Sequence, residues 1–152
     1  MFKRVLIANR GEVALRIIRA CKALGIETAA VYSTADRGSP HLEEADITAC
    51  IGPGPSNQSY LNREAIIEAA QENECSAVHP GFGFLAEDFL FAYMCRQQKL
   101  IFIGPSPHSI RLMGNKSLAK QTVQAAGLPT IPGSDGSLPN LDAALQLAGQ
   151  ME

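Results

Sequence analysis

The sequence predicts an α/β fold in which a parallel sheet of five strands is doubly wound by helices. Short apolar runs at residues 4–8 (RVLIA), 28–32, 47–51, 77–78 and 100–103 each have the length of a buried strand. Between them lie stretches with apolar residues at helical spacing, and strands that alternate with helices pack as a parallel sheet covered on both faces. A hydrophobic content of 46% against 18% charged residues, over 152 positions, gives a globular chain enough material for one ordinary core.

Taken in order, the first strand gives way at Asn9, Arg10, Gly11 and Glu12 to a helix that runs to Leu24. Val13, Ile17, Ala20, Cys21 and Leu24 form its apolar stripe, and Gly25 terminates it. Only Gly11 stands in the first turn, so the GxGxxG dinucleotide fingerprint is absent. Asp36, just past the second strand, therefore reads as a turn residue and not as a ribose-binding acid. Arg16 and Arg19 read as a solvated helix face. Residues 39–46 form a connection with a short helix, and 52–60 (GPGPSNQSY) a breaker-rich loop that no GK[ST] follows, which excludes a phosphate-cradling role. Asn62 caps a helix through Glu72, with Ile66, Ala69 and Ala70 on one side.

Residues 76–88 (SAVHPGFGFLAED) are the richest in signals. Ala77 and Val78 make a short strand, His79, Pro80, Gly81 and Gly83 a turn, and a helix opens near Glu87, carrying Phe89, Phe91, Ala92 and Cys95 into the core. Glycines on either side of Phe82 let the backbone approach a partner closely while the ring offers a flat wall. Pattern alone, however, assigns Phe82 and Phe84 to the core. His79 lacks a second His or Cys at metal-ligand spacing. Beyond residue 105 follow short helices at 109–113 and 116–126, the second bounded by Asn115, Gly127 and Pro129. Lys116 thus falls in a first turn, where the macrodipole disfavours a cation, and that placement points to an incoming anion. Residues 128–139 read as a loop and 141–151 as a final amphipathic helix.

Composition narrows the partners. A net charge of -2 offers no electrostatic reason to bind nucleic acid or an anionic membrane, and no apolar run approaches spanning length. Asn9 and Arg10 end the first apolar run too early for a signal peptide. Cys21, Cys50, Cys75 and Cys95 include no CxxC pair and read as free thiols in a reducing, cytoplasmic compartment.

The segment HPGFGFLAED resembles the HPGYGFLSEN signature of biotin carboxylases, the ATP-dependent enzymes that carboxylate protein-bound biotin. IANRGEVALRIIRACKALG, SYLN, FIGP, RLMGNK and PGSDG recur in that family's order, and the resemblance extends over residues 2–137. It implies a Rossmann-like pre-ATP-grasp domain over 1–105, with 106–152 as a helical connector entering a truncated ATP-grasp region. The parent reaction it implies uses MgATP and bicarbonate to form carboxyphosphate and then carboxylates biotin. Implied partners are the remainder of the enzyme, a biotin carboxyl carrier protein, a carboxyltransferase and a second copy in a homodimer, to which Arg16 and Arg19 are candidate contacts. By the same resemblance Lys116 contacts ATP phosphates, Phe82 and Gly83 face biotin, and Mg2+ or Mn2+ is held by the part not present. No catalytic residue is expected within this chain, which alone should be inactive.

Three departures from the family pattern stand out: Phe82 for tyrosine, Ala86 for a serine expected to cap the next helix, and Asn115 for aspartate. The alternatives are a free-standing Rossmann-like nucleotide-binding module, which would need more glycines in the first turn, and another ATP-grasp ligase. A receiver-type signalling domain would need an acidic cluster after the first strand, where only Glu12 stands.

Overall fold

A computed structural model describes residues 1–134, 136 and 138–150. The chain divides into two compact units, Met1–Pro107 and His108–Glu152. The first contains the strands β1 (Arg4–Ile7), β2 (Glu27–Tyr32), β3 (Ile47–Cys50), β4 (Ala77–His79) and β5 (Ile101–Phe102). They form one parallel sheet in the order β3-β2-β1-β4-β5, with Ile7 paired to Ala30 on one side and to His79 on the other. Helices α1 (Gly11–Ala23), α2 (Pro40–Glu44), α3 (Arg63–Glu72) and α4 (Phe89–Gln97) connect them. The predicted doubly wound sheet is what the structure shows.

Alternation along β1 sorts the core into two layers. Leu6 and Ala8 join Ala29, Val31 and Val78 beneath α3 and α4, which contribute Ile66, Ala70, Phe91 and Cys95. Val5 and Ile7 join Ala30 and Ala77 beneath α1, which contributes Ala14, Ile18 and Cys21. Period-2 alternation places successive strand residues on opposite faces, so one apolar strand serves both layers.

The buried face of α1 corrects the expected stripe. Ala14, Ile18 and Cys21 are inward, of which Cys21 belongs to the expected stripe; Ile17 packs partly buried against the same cluster, while Leu24 is 62% exposed and Val13 and Ala20 line a groove of about 590 Å3 along the helix flank. Both sets have helical spacing, and the smaller Ala14 is what allows the helix to approach the sheet closely. The next correction is at α4. Asp88, not residue 86, is its N-cap, with Oδ1 accepting from Phe91 N at 2.9 Å, so Ala86 costs no cap. Phe91, Ala92 and Cys95 are buried as expected, but Phe89 is partly exposed, because at the first helical position it points off the buried face.

The second unit contains most of α5 (Pro107–Gly114), together with α6 (Lys116–Ala125) and α7 (Leu141–Gly149). Asn115 and Asn140 cap the last two through Leu118 N and Ala143 N. Lys120 Nζ donates to the carbonyls of Gly133 and Ser134, tying the following loop to α6. Asp135 and Ser137 of the expected loop, and Met151 at the expected end of α7, lie outside the described residues.

Candidate functional site

The chain leaves β1 into α1 on one face of the sheet and leaves β4 into α4 on the other. Adjacent strands wound to opposite faces open a crevice at their carboxyl ends, the usual ligand position in such sheets. Ala8 N donates to the His79 carbonyl at 2.9 Å, so the turns after β1 and β4 share one edge.

Here the crevice is filled by a side chain. Asn9 is 3% exposed, and its Nδ2 donates to the carbonyls of Pro80 at 2.7 Å and Phe82 at 2.9 Å, while its Oδ1 accepts from Arg10 N at 2.9 Å. Both amide protons and the oxygen are engaged, which fixes the orientation of the group. Gly81, at φ +68°, passes so close that a Cβ would lie 2.7 Å from Asn9 Nδ2 and 2.7 Å from Val13 Cγ1. His79 closes the turn from the other side: its Nδ1 accepts from Gly81 N at 3.1 Å, which puts the ring proton on Nε2. Burial pushes the His79 pKa down and keeps the ring neutral. With Nδ1 occupied, the residue is a turn brace.

The second anchor is Phe84. It takes a positive φ of 38°, uncommon outside glycine, and its ring stacks on Tyr60 at 5.0 Å with an 18° interplanar angle. The Arg10 guanidinium lies 5.4 Å from the Tyr60 ring centre and 5.5 Å from that of Phe84. Tyr60 is buried, donates to Asp36 Oδ2 at 2.8 Å and accepts from Ser33 N at 3.1 Å. Burial, with the Asp36 charge beside it, pushes the Tyr60 hydroxyl up to about 12. Burial alone would raise Asp36, but hydrogen bonds from Ser33 and Tyr60 and the charge of Arg10 hold its carboxyl below the ordinary value. Asp36 closes a 3-10 turn at Thr34–Asp36, as the turn reading expects, and its Oδ2 is spent on this internal network.

Between the two anchors Phe82 projects outward, 75% exposed. Pattern had assigned it to the core together with Phe84. Phe84 does pack against the core cluster, whereas Phe82 is held clear of it by the carbonyls tied to Asn9. Gly83, at φ +70°, has open space where a Cβ would stand. The turn thus offers a flat ring beside an unobstructed stretch of backbone.

In the second unit Lys116 is the exposed first residue of α6, behind the Asn115 cap, and the first turn carries no acidic side chain. Helix-terminal amides and an ammonium at one helix start suit an anion. Among the described residues no group of three or more His, Cys, Asp or Glu could hold a metal ion, and no helix is long and apolar enough to cross a membrane. Cys21, Cys50, Cys75 and Cys95 are all free thiols.

Comparison with known proteins decides the family. Residues 1–110 match the biotin carboxylase N-terminal domain. The chain belongs to that family. It is 54% identical over 152 residues to the biotin carboxylase of Pseudomonas aeruginosa, covering 99% of this chain and 34% of the relative. Identity to the biotin carboxylase of a Nostoc species is 53% over 147 residues, covering 97% and 33%. The chain therefore spans about a third of the length of these relatives. Among solved structures, the Campylobacter jejuni biotin carboxylase in its β-γ-ATP complex aligns with a TM-score of 0.94 at 47% identity, over 100% of this chain and 34% of that one. The biotin carboxylase domain dimer of the Hydrogenobacter thermophilus 2-oxoglutarate carboxylase, with MgADP, ADP and bicarbonate, aligns at 0.93 and 46%, over 100% and 33%.

Sequence reasoning named Phe82, Gly83 and Lys116 but overlooked Asn9 and the network of Arg10, Tyr60 and Asp36. A polar residue directly after an apolar strand, repeated in the family-like IANRGE segment, was the available signal for Asn9.

Proposed function

We propose that this chain is the N-terminal part of a biotin carboxylase, which uses MgATP and bicarbonate to carboxylate biotin on a carrier protein. The observation that carries the reading is the family match over residues 1–110, together with an alignment to a relative, 54% identical over 152 residues, that extends beyond that domain. The division of labour places a Rossmann-like domain in residues 1–105 and the entry to the ATP-grasp region in 106–152. Phe82 serves as the flat wall for the biotin ring system and Gly83 as the adjoining backbone, which the 75% exposure of Phe82 supports. Phenylalanine keeps the wall but gives up the hydroxyl that the family's tyrosine brings. Lys116, with the first amides of α6, receives ATP phosphates, and its exposure at a helix start without acidic neighbours supports this.

Mg2+ or Mn2+ falls to the remainder of the enzyme, as the family resemblance implies. The chemical step belongs there too, so the chain contributes binding and orientation. The remaining partners are a biotin carboxyl carrier protein and a carboxyltransferase, in the cytoplasm, as in acetyl-CoA carboxylase and fatty acid synthesis. A second copy in a homodimer is supported by the dimer recorded for the Hydrogenobacter relative. The test is an exchange enzyme in which residues 1–152 replace the matching third of the Pseudomonas aeruginosa biotin carboxylase. Biotin-stimulated, bicarbonate-dependent ADP release is the expected result. A folded exchange enzyme that releases none would overturn the reading.

A further inference from the structure

The turn carrying Phe82 contains three residues with positive φ, Gly81, Gly83 and Phe84, and so does not hold its shape by local preference alone. Its shape is imposed by contacts, and one side chain supplies the contacts on both sides of Phe82. Asn9 Nδ2 binds the carbonyl before Gly81 and the carbonyl of Phe82 itself. A trans peptide is planar, with its C=O and N–H directed oppositely. Drawing the Phe82 oxygen inward to Asn9 therefore directs the Gly83 N–H away from Asn9. Asn9 itself is buried and touches no ligand-accessible surface of the turn. Its effect on a ligand has to pass through the Phe82–Gly83 peptide.

We infer that Asn9 is the positioning residue for biotin, setting the Phe82 ring and the Gly83 N–H in the orientation in which a ring system can lie against one while an oxygen of the same ligand accepts from the other. This rests on the assignment of Phe82 and Gly83 to biotin made above. The donor character of Nδ2 is the essential property. In Asn9→Asp the shape is unchanged and the acceptor toward Arg10 N is kept, but a carboxylate oxygen faces two carbonyl oxygens where a donor stood. The peptide must turn away from that repulsion. Asn9→Ala removes the tie without introducing repulsion, so it should give the same defect in a milder form.

The experiment uses the exchange enzyme with Asn9→Asp, Asn9→Ala and Phe82→Ala, measuring the KM for free biotin alongside bicarbonate-dependent ADP release without biotin. Expected is a rise in biotin KM of tenfold or more for Asn9→Asp and a smaller rise for Asn9→Ala, with biotin-independent ADP release within twofold of the parent in both. Hydrogen exchange should show faster exchange at Gly81 and Ala86, whose N–H groups are held by His79 Nδ1 and the Gly83 carbonyl, in both Asn9 variants and unchanged protection in β1 and β2. If Phe82→Ala raises the biotin KM and the Asn9 variants do not, the inference fails while the biotin reading stands. If Phe82→Ala leaves the biotin KM unchanged, the reading fails and takes the inference with it. Equal loss of both activities, or loss of protection throughout the sheet, would make Asn9 a general structural residue and overturn the inference.

Discussion

Asn9 Nδ2 occupies the space in which a side chain at residue 81 would begin: an added Cβ on Gly81 would stand 2.7 Å from it. Gly83, two residues on, has a similar φ, +70° against +68°, but open space around it. The pair separates backbone strain from steric exclusion within one turn. Gly83→Ala should cost about 1–2 kcal/mol, the penalty for an L side chain in the left-handed region. Gly81→Ala carries that penalty plus overpacking of roughly 1–3 kcal/mol, since Asn9 is fixed by three hydrogen bonds and cannot give way. Urea unfolding of the two variants checks the order, and equal stability would refute the close approach.

Asp88 performs two tasks with separate oxygens. Oδ1 caps α4 through Phe91 N, and Oδ2 accepts from Arg63 Nε at 2.9 Å and Nη2 at 2.6 Å. Asp88→Asn keeps the cap and weakens the ion pair, which is partly solvated and should be worth no more than about 1 kcal/mol. Asp88→Ala loses the cap as well, a further ~0.5–2 kcal/mol. A thermal melt should rank parent, Asn and Ala in that order, and a reversal would disprove this division.

Stability should fall with acid in two windows. His41 is 1% exposed, and burial, the larger influence, pushes its pKa below 6.5 against the opposing pull of the Val31 backbone and Asp36. Val31 lies near enough to favour the charged ring somewhat, yet neither ring nitrogen meets a partner in hydrogen-bonding geometry among the described residues. As pH falls through 6.5 the unfolded chain takes up a proton that the folded chain resists, so unfolding is favoured; His79 acts in the same direction. The second window belongs to Asp36, Asp46 and Asp88, all held below 3.8, whose contributions are present above that value and lost as pH falls through their folded values. Melting temperatures should therefore drop between pH 7.5 and 5.5, and His41→Gln should flatten that segment without altering the drop below pH 4. An unchanged upper segment in His41→Gln would remove His41 as its cause.

Lys116→Gln in the exchange enzyme should raise the KM for ATP more than it lowers kcat, because a phosphate contact held from ground to transition state is uniform binding. A larger fall in kcat would instead assign the lysine to the transition state.

The chain alone should bind ATP with a dissociation constant in the millimolar range or weaker. One charged hydrogen bond contributes ~1.5–3 kcal/mol, while association costs roughly 4 kcal/mol or more. It should also release no phosphate from ATP with bicarbonate and biotin. Calorimetric titration with low-micromolar binding would favour the free-standing nucleotide module instead.

The five parallel strands and the helices between them could be read from apolar runs and their helical spacers, since a parallel sheet writes its burial directly into composition. The face of α1 could not. Val13, Ile17 and Leu24 have helical spacing as Ala14 and Ile18 do, Cys21 fits both sets, and only packing on the sheet selects between them. Phe82 was misplaced for a related reason: an aromatic between glycines looks like core until the carbonyls around it are known to be tied inward. Asn9 and Tyr60 act through partners some 70 and 24 residues away in sequence, Phe82 and Asp36, and no local pattern announces such pairings.

Of the four thiols, Cys21, Cys75 and Cys95 are buried, and burial raises all three pKa values, Cys75 to about 11 and Cys95 to about 12. Cys50 is exposed, at the end of the edge strand β3. Because reaction with a maleimide requires both access and thiolate, the native chain carries its own single attachment point for a dye. The sequence contains no tryptophan, so intrinsic fluorescence is a poor reporter. A fluorophore on Cys50 would supply the missing optical signal without mutagenesis, on a strand separated by β2 and β1 from the one that leads to Phe82.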